Sequence, residues 1–348
     1  MKILVIGSLE HEDSFATNIV ENFIKLGHET HAYDTFSLRI KINNKFGFRL
    51  NQILTNLQQI ISKFKIFSSN KKLFKLFKKI NFDFVLVTHD YLKPNDVYKI
   101  KNEFNPIIAM WFPDHLANFG KAYFMNAPYD FLFFKDPYII TLLENRISSK
   151  VYYLPECYNE FKHKYEGEIT DKYKCDITTA GNFHSWRVAL FEHLSEYNIK
   201  FWGMPPPLWM PKKFLTSSYQ NHAVYNEEKA KAFLGAKIVL NNLHFAEIYG
   251  LNARAFEAAG IGSFQLLDWR PGIENLFEDG VEIITFNGIN DLKIKLNYWL
   301  EHPIEREIIA KASKKRALHE HTYLHRLQLI IDTIQGNKKG YPLPNIQK

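Results

Sequence analysis

Short apolar runs that alternate with amphipathic stretches constrain the fold of this chain more than any other feature. The chain opens with "KILVIG", a continuous apolar run that is typical of a central parallel strand. Helical spacing follows from Phe15 to Leu26, and Gly27 ends that helix, which makes the first βα unit. Further strands are predicted at residues 30–34, 83–89, 106–112, 130–135 and 151–155, each separated by room for a helix.

The second half of the chain repeats this scheme. Strands are predicted at residues 175–181, 199–203, 237–242, 263–268 and 281–286, again with helices between them. Such alternation predicts an α/β protein with two Rossmann-like domains that face each other across a cleft. The predicted boundaries are residues 1–157 for the first domain, 158–174 for a polar linker, 175–320 for the second domain and 321–348 for a final helix and tail.

Length and composition agree with two domains. The chain has 348 residues, of which 46% are apolar, more than one hydrophobic core usually holds. Its two cysteines, Cys157 and Cys175, lack the paired spacing of a disulfide framework or zinc site, which favours a reducing compartment. The first apolar run is too short for a signal peptide and no run is long enough to span a membrane, so we expect a cytoplasmic protein. The formal charge of +7 favours anionic partners.

Two common phosphate-binding motifs are absent from the sequence. The loop after the first strand, "GSLEHEDS", lacks the GxGxxG pattern of dinucleotide-dependent oxidoreductases, and no Walker A sequence occurs. In open α/β sheets, ligands bind beyond the carboxyl ends of the strands, so the other loops at those ends become the candidates.

The segment "YGLNARAFEAAGIG" stands out among these loops. Asn252 can cap a helix that starts at Ala253 and ends near Gly260 and Gly262. A helix N-terminus carries unpaired amides and partial positive charge, so with Arg254 added it suits a diphosphate. Glu257, one turn further on, can accept hydrogen bonds from the two hydroxyls of a ribose. The alternative is that Arg254 and Glu257, three residues apart on one face, pair with each other.

The same segment carries a family resemblance. The sequence from Leu251 through "RAFEAAG", "ENLF", "HPIER" and "HTYLHR" resembles the C-terminal half of CgeB-like, group-1-type glycosyltransferases of the GT-B fold. The similarity extends upstream to "DITTAGNFHSWR" and "VYNEEKAKAFLG", and in the first half to "MWFPDHLANF" and "YYLPECYN". It implies transfer of a sugar from a nucleotide-diphosphate sugar, bound by the second domain, to a hydroxyl acceptor bound by the first. It also implies that the C-terminal helix crosses back to the first domain.

The resemblance assigns Glu257 to the second acid of a paired-Glu motif that holds the ribose in retaining relatives. The first acid of that motif falls on Tyr249, and Glu247 lies nearby but out of register. No Asp-x-Asp sequence occurs, which argues against the divalent-metal clamp of the other large glycosyltransferase fold. We therefore expect no metal and no cofactor, with the leaving-group charge met by Arg254, Arg187 and helix dipoles.

Other donor contacts are predicted from their positions at strand ends. Gly181 permits close approach of the backbone, and Asn182, His184 or Arg187 can reach a phosphate; Arg187 can equally be a solvated first-turn arginine. The base is expected near Trp202 and Gly203 and near Val224 and Tyr225, although Trp202 can equally be a core residue. His244 ends another strand in the same region, where a structural role is the alternative.

Asp114 and His115 follow a predicted strand directly and are the candidate catalytic residues. If the reaction inverts the anomeric centre, one of them is the base that deprotonates the acceptor hydroxyl, and we favour Asp114; the alternative is that Asp114 caps the next helix. If the reaction retains the anomeric centre, no such base is required. Further candidates are His11, Asp13, His89 and Asp90.

A lysine-rich segment, residues 63–80, has one apolar helical face surrounded by lysines. It resembles an interfacial membrane helix, which would place the protein peripherally at the inner membrane face; the alternative is an amphipathic helix that covers the first sheet. The predicted partners are thus a nucleotide-sugar donor, a glycan, lipid-linked or other hydroxyl acceptor, and no specific nucleic acid. Two other classes remain as alternatives: a two-lobed small-molecule binding protein without catalysis, and a nonspecific nucleic-acid-binding protein.

Overall fold

The computed structural model describes residues 1–35, 50, 71–207, 209–210 and 215–346. Two compact units divide the chain. The first comprises residues 1–112, 120–133 and 147–150, and the second comprises residues 113–119, 134–146 and 151–348. This division is discontinuous in sequence, unlike the single predicted boundary after residue 157, because the segments after two strands of the first sheet pack with residues of the second unit.

The first sheet is built from six strands among the described residues, in the order β2-β1-β3-β4-β5-β6. The pairs β1–β2, β1–β3 and β3–β4 are parallel, as the continuous apolar runs predict. Helices on such a sheet bury both of its faces, so β3 and nearly all of β1 are buried. The strands are β1 Lys2–Gly7, β2 Glu29–Asp34, β3 Phe84–Thr88, β4 Ile107–Phe112, β5 Phe131–Phe134 and β6 Lys150–Tyr153.

The second sheet has five strands in the described part of the chain, in the order β11-β10-β9-β7-β8, and each neighbouring pair is parallel. The order reverses at β7 and β9, which is where open α/β sheets place their ligands. The strands are β7 Cys175–Ala180, β8 Ile199–Trp202, β9 Ala236–Asn241, β10 Gln265–Asp268 and β11 Ile284–Phe286.

Helices connect most of the described strands, as the predicted alternation requires. Within the first unit the described helices are α1 Phe15–Lys25, α2 Lys71–Lys79 and α3 Pro94–Phe104. The second unit contains α4 Pro137–Leu143, α5 Ser185–Glu192, α6 Leu215–Ser218, α7 Asn226–Leu234, α8 Ala253–Ile261, α9 Gly288–Glu301, α10 Pro303–Glu320 and α11 Tyr323–Ile334.

The C-terminal helix α11 lies in the second unit. The break before it falls at His321 and Thr322, where the sequence predicts one, and Thr322 caps the helix. Arg326 is almost fully buried and donates a hydrogen bond from Nε to the carbonyl of Pro155 at 3.0 Å. The N–H of Tyr323 donates to the carbonyl of Tyr158, so α11 is fastened to the segment that follows β6.

The residues predicted as a linker, 158–174, belong to the second unit. Tyr158 is buried and its ring lies against α8 so closely that a Cβ on Gly260 would overlap it. Small residues, Ala255, Ala258 and Ala259, line the buried surface of that helix, which lets α8 approach its neighbours closely. The abundance of Ala and Gly in this segment therefore has a packing cause.

Helix α2 is the described part of the lysine-rich segment; residues 63–70 lie outside the described residues. Its apolar face, Leu73, Phe74 and Phe77, is buried, and the Phe77 ring stacks on Phe104. All five lysines of the helix are exposed. The described residues thus form an amphipathic helix that packs within the first unit, and the interfacial-helix alternative is wrong for them because an apolar face already buried cannot enter a bilayer.

Among the residues that the structure describes, we find no helix long and apolar enough to cross a membrane. Cys157 and Cys175 are both buried and free.

Candidate functional site

Gly181 is the centre of the candidate site. It follows β7 with φ of +132°, a conformation that side chains rarely adopt. A Cβ at this position would lie 2.6 Å from Nη2 of Arg254 and 3.0 Å from Nη1 of Arg187. Two guanidinium groups therefore border the backbone at one point, and only glycine leaves the space beside them open.

Arg254 reaches this point from the first turn of α8. Asn252 caps the helix by accepting a hydrogen bond from the N–H of Ala255, as the sequence predicts. Arg254 donates from Nε to the carbonyl of Ala180 at 2.6 Å and from Nη1 to Oδ1 of Asn241 at 2.9 Å. These bonds direct the guanidinium toward the ends of β7 and β9, with Nη2 facing Gly181.

Arg187 reaches the same point from α5. Its Nε donates to Oδ1 of Asn242 at 3.0 Å, and Nη1 donates to the carbonyl of Asn182 at 2.8 Å. The side chain is only 8% exposed, so the alternative of a solvated first-turn arginine is wrong. Asn182 itself is exposed and contributes its backbone carbonyl to this contact.

The two arginines are bonded to neutral oxygens. Within the described part of the chain, neither guanidinium has a carboxylate within hydrogen-bonding distance. Burial, and then the positive charge of Arg254, lowers the pKa of Arg187 well below its ordinary value. Burial also lowers the pKa of Arg254 to about 10, although the negative charge of Glu257 opposes this. Two buried like charges destabilise each other, and an anion placed between them would stabilise both.

Glu257 has a partner other than Arg254. Its Oε1 accepts a hydrogen bond from Nζ of Lys229, on α7, at 2.7 Å, and both side chains are largely buried. The alternative in which Arg254 and Glu257 simply pair on the helix is therefore wrong. Lys229 had no signal in the sequence, since one lysine of an "EEKAK" helix resembles the others until the fold places it.

The loop between β9 and α8 is held by two consecutive residues, Lys135 and Asp136. Lys135 forms a fully buried ion pair with Oε1 of Glu247 at 2.6 Å. Asp136 accepts hydrogen bonds from the backbone N–H groups of Ile248 and Tyr249. Glu247 is thus engaged by a lysine rather than standing at the position of the first acid of the paired motif, which Tyr249 occupies.

Glu156 is a second buried carboxyl beside Lys135. Burial raises the pKa of Glu156 to about 8, even though the positive charge of Lys135 opposes the shift. Burial likewise raises the pKa of Glu247, against the effect of the same lysine. Burial opposes the charge of Lys135, but Glu247 and Glu156 together leave its pKa raised. Sequence reasoning missed Lys135 and Glu156, for which a charged residue at the end of an apolar strand was the available signal.

Three histidines lie close together in the second unit. The rings of His115 and His244 stack in parallel with 3.9 Å between centroids, and His184 meets His244 edge to face at 5.9 Å. Burial, and then His244 and Lys135, lowers the pKa of His115 to about 4. Burial also leads the lowering of the pKa of His184 and of His244. These shifts favour the neutral form of all three imidazoles.

Asp114 and His115 follow β4 directly, as predicted, but they belong to the second unit rather than the first domain. The reason is the contact of His115 with His244, which lies after β9. Asp114 is partly exposed, and its negative charge acts on His115 and on Lys135. The structure thus brings Asp114, His115, His184 and His244 together with Arg187.

The residues predicted to lie near the nucleotide base differ in how deeply they are buried. Gly203 packs on the backbone of Gly181, whose N–H donates to the carbonyl of Trp202 at 2.8 Å. Trp202 is a core residue, fully buried with its indole N–H bonded to Thr178. Val224 is also buried, whereas Tyr225 is partly exposed and its hydroxyl contacts the sulfur of Met204.

The remaining candidates His11, Asp13, His89 and Asp90 lie in the first unit. Asp90 accepts hydrogen bonds from the backbone N–H groups of Tyr123 and Phe124, and burial raises its pKa to about 6. His89 has a left-handed φ of 67°.

A family model described as glycosyl transferase-like matches residues 186–332, a range that includes Arg187, His244, Arg254 and Glu257. Over this range the chain is similar to the CgeB-like, group-1-type glycosyltransferases. A curated relative is the spore protein CgeB of Bacillus subtilis, 28% identical over 190 residues. That alignment covers 50% of this chain and 58% of CgeB, so the chain spans little more than half the length of its relative. The predicted resemblance is confirmed.

Solved glycosyltransferase structures share the fold across nearly the whole chain. Sucrose-phosphate synthase from Thermosynechococcus elongatus matches with a TM-score of 0.67 at 10% identity, over 97% of this chain and 100% of that one. Anabaena HepE in complex with UDP matches with a TM-score of 0.62 at 10% identity, with the same coverage. These likenesses confirm the predicted α/β fold class of GT-B type.

Proposed function

We propose that this protein transfers a sugar from a nucleoside-diphosphate sugar to a hydroxyl of an acceptor. The observation that carries the proposal is the pair of buried arginines, Arg187 and Arg254, which meet at Gly181 without a carboxylate partner in the described residues. Buried charges in proteins are normally paired. A diphosphate supplies the missing negative charge at the ends of β7 and β9, where such sheets bind ligands.

The same arrangement explains how the leaving group is stabilised. Negative charge on the diphosphate increases as its bond to the sugar breaks, so fixed cations at this position act mainly in the transition state. The N-terminus of α8 adds its partial positive charge beside Arg254. These groups together replace a divalent metal, and we propose that transfer is metal-independent.

Glu257 and Lys229 are the proposed ribose contacts. The Glu257 carboxylate lies one turn beyond Arg254 on α8, and its hydrogen bond from Lys229 fixes its orientation. A carboxylate held in this way can accept hydrogen bonds from the two vicinal hydroxyls of a ribose. Solved structures that share the fold support this class of donor, since Anabaena HepE was crystallised with UDP, with UDP-glucose, and with UDP and glucose.

Asp114 is the proposed general base for an inverting reaction. Its neighbour His115, with a pKa of about 4, is a weak base at pH 7, and its stacking on His244 opposes protonation further. Loss of a general base typically lowers rate by about 10²- to 10⁴-fold. We expect that loss in Asp114→Asn, measured as acceptor-dependent release of nucleoside diphosphate, and a smaller loss in His115→Gln. An Asp114→Asn enzyme with wild-type turnover would contradict this role.

The experiment that tests the proposed function is a thermal-shift screen with UDP, GDP, dTDP, CDP, CMP and ADP. A ligand present at about 100 times its dissociation constant stabilises the folded state by roughly 2.7 kcal/mol. We expect one nucleotide to stabilise the wild type, and Arg254→Lys and Glu257→Gln to lose most of that response. Arg146→Lys, at an exposed arginine, is the matched control and should respond like the wild type.

The outcome separates this proposal from the two-lobed binding protein. The transferase proposal fails if none of the six nucleotides raises the melting temperature at millimolar concentration and a free sugar or amino acid does so instead. Stabilisation that survives in both site variants would place nucleotide binding elsewhere in the molecule.

We further propose that the protein works in the cytoplasm on surface or secondary glycans, in contact with anionic lipid through the lysines of α2. Five exposed lysines on one short helix support an electrostatic contact, each contributing up to about 1 kcal/mol near an anionic surface. Flotation with vesicles that contain phosphatidylglycerol tests it, and retention of the protein in the dense fraction at low salt would contradict it.

A further inference from the structure

Two exposed aromatic side chains of the second unit lie outside the site described so far. Trp186 is 48% exposed and Phe245 is 65% exposed, and their rings lie 6.2 Å apart at an angle of 67°. Large aromatic side chains that remain in contact with solvent and with each other often mark a binding surface. Their position in the fold indicates what they would bind.

The indole of Trp186 is held in place although it is exposed. Its Nε1–H donates to the backbone carbonyl of Leu243 at 2.9 Å, so the first turn of α5 is fastened to the loop after β9. Because the polar atom of the indole already has its partner, the exposed surface of the side chain is an apolar ring face. An exposed ring fixed in this way loses little conformational freedom when a ligand packs on it.

The aromatic pair is continuous with the anion site. Trp186 directly precedes Arg187 on α5, and Phe245 directly follows His244. The rings of Phe245 and His244 lie 4.2 Å apart, and His184 contacts His244 edge to face. Two apolar rings are therefore followed by two imidazoles along one stretch that leads toward Arg187.

The imidazoles supply hydrogen-bonding groups beside the rings. His244 accepts a hydrogen bond at Nδ1 from the N–H of Ala246, so in its neutral form the ring carries its proton on Nε2. His184 is exposed on the loop that leads into α5. A ligand with both an apolar face and hydroxyl edges matches apolar rings beside imidazoles, and a sugar ring has both.

We propose that Trp186 and Phe245 form an acceptor subsite that binds a sugar ring of an oligosaccharide. This inference rests on the proposed function and adds the substrate class of the acceptor, a glycan of more than one sugar unit. The donor's own sugar is bonded to the diphosphate and stays beside the buried arginines, whereas the two rings are open to solvent. A lipid chain would require an apolar surface that extends beyond these two rings, whereas the rings are followed by imidazoles.

Saturation-transfer NMR tests the subsite. The probes are cellotetraose, maltotetraose and chitotetraose, each with and without UDP. We expect at least one tetrasaccharide to receive saturation from the aromatic protons of the wild type. Trp186→Ala and Phe245→Ala should each weaken that binding about tenfold, the loss expected for one aromatic stacking contact. Trp186→Phe should lose less, because it keeps a ring.

The control for an exposed tryptophan is Trp209→Ala, since Trp209 is 70% exposed and lies in a different loop. Thermal stabilisation by nucleotide, unchanged in the Trp186 and Phe245 variants, shows that they are folded and that the anion site is intact. Wild-type affinity for the tetrasaccharide in Trp186→Ala would overturn the subsite, and so would absence of binding by all three probes. Oligosaccharide binding without any nucleotide binding would leave the subsite standing while the proposed function fails.

Discussion

Lys135 and Arg187 are both buried cations of the second unit, yet their surroundings differ. Lys135 has the Glu247 carboxylate at 2.6 Å and a second carboxyl, Glu156, beside it. Arg187 has only amide and carbonyl oxygens as hydrogen-bond acceptors, and its pKa is lowered by burial and then by the charge of another arginine, Arg254. Removing a buried cation that has its counter-ion leaves an uncompensated buried charge, whereas a buried cation without one can pair with an anion from outside. Four measurements test this distinction.

The largest effect is expected from removing the paired cation. Lys135→Met leaves Glu247 buried without its partner, which typically costs about 3–5 kcal/mol of unfolding free energy. Chemical denaturation measures this loss. The double variant Lys135→Met with Glu247→Gln should recover a large part of it, because no unpaired charge then remains. If the single variant is as stable as the wild type, Lys135 and Glu247 are not a structural pair.

Replacing Arg187, the cation without a carboxylate partner, should affect nucleotide binding more than stability. Arg187→Met breaks hydrogen bonds to Asn242 and Asn182 but also relieves the repulsion from Arg254, so we expect a smaller loss of stability than in Lys135→Met. Nucleotide affinity should fall by about 10- to 100-fold, the effect of one lost charge-assisted hydrogen bond. Isothermal titration calorimetry measures it. A variant that binds nucleotide normally would remove Arg187 from the site.

Glu156 predicts a dependence of stability on pH. Its pKa is about 8 in the folded protein and near 4.5 in an unfolded chain, so the folded state holds a proton that the unfolded state has lost. This contribution is complete below about pH 4.5 and is lost as the pH rises toward 8. Glu156→Gln should therefore raise the melting temperature at pH 8 more than at pH 5. Glu166→Gln, at an exposed glutamate, should show no such difference.

The smallest effect is expected from the surface lysines of α2. Replacing Lys71, Lys72, Lys75, Lys78 and Lys79 by glutamine, singly, should change stability by no more than about 0.5 kcal/mol each. Nucleotide binding should not change. The combined variant should lose flotation with anionic vesicles. Loss of nucleotide binding in that variant would show that exposed charge, too, serves the donor site.

Much of the fold was predictable because it depends on local sequence patterns. Continuous apolar runs predicted strands such as β1 and β3, and the cap at Asn252 predicted where α8 begins. Strand ends were less accurate: the last predicted strand began at residue 281, whereas β11 begins at Ile284. A turn formed by Glu278 and its neighbours precedes β11, and turn hydrogen bonds of this kind compete with an apolar pattern.

The candidate site was predictable only in part. The location of Arg254 and Glu257 followed from the helix, but their partners did not, because Lys229 and Ala180 lie on other elements. Lys135 and Glu247 are 112 residues apart, and no local spacing relates them. The burial of Arg187 could not be predicted either, because it depends on Asn242, which follows β9, a different strand.

The close contact of Gly260 with the Tyr158 ring has a consequence at the other end of its helix. Gly260 and Arg254 are six residues apart on α8, about 9 Å along the axis at 1.5 Å per residue. A methyl group at position 260 would overlap the buried Tyr158 ring, so the ring or α8 must shift. A shift of α8 would carry Arg254 with it and change the gap between two guanidinium groups, through a substitution that touches no ligand.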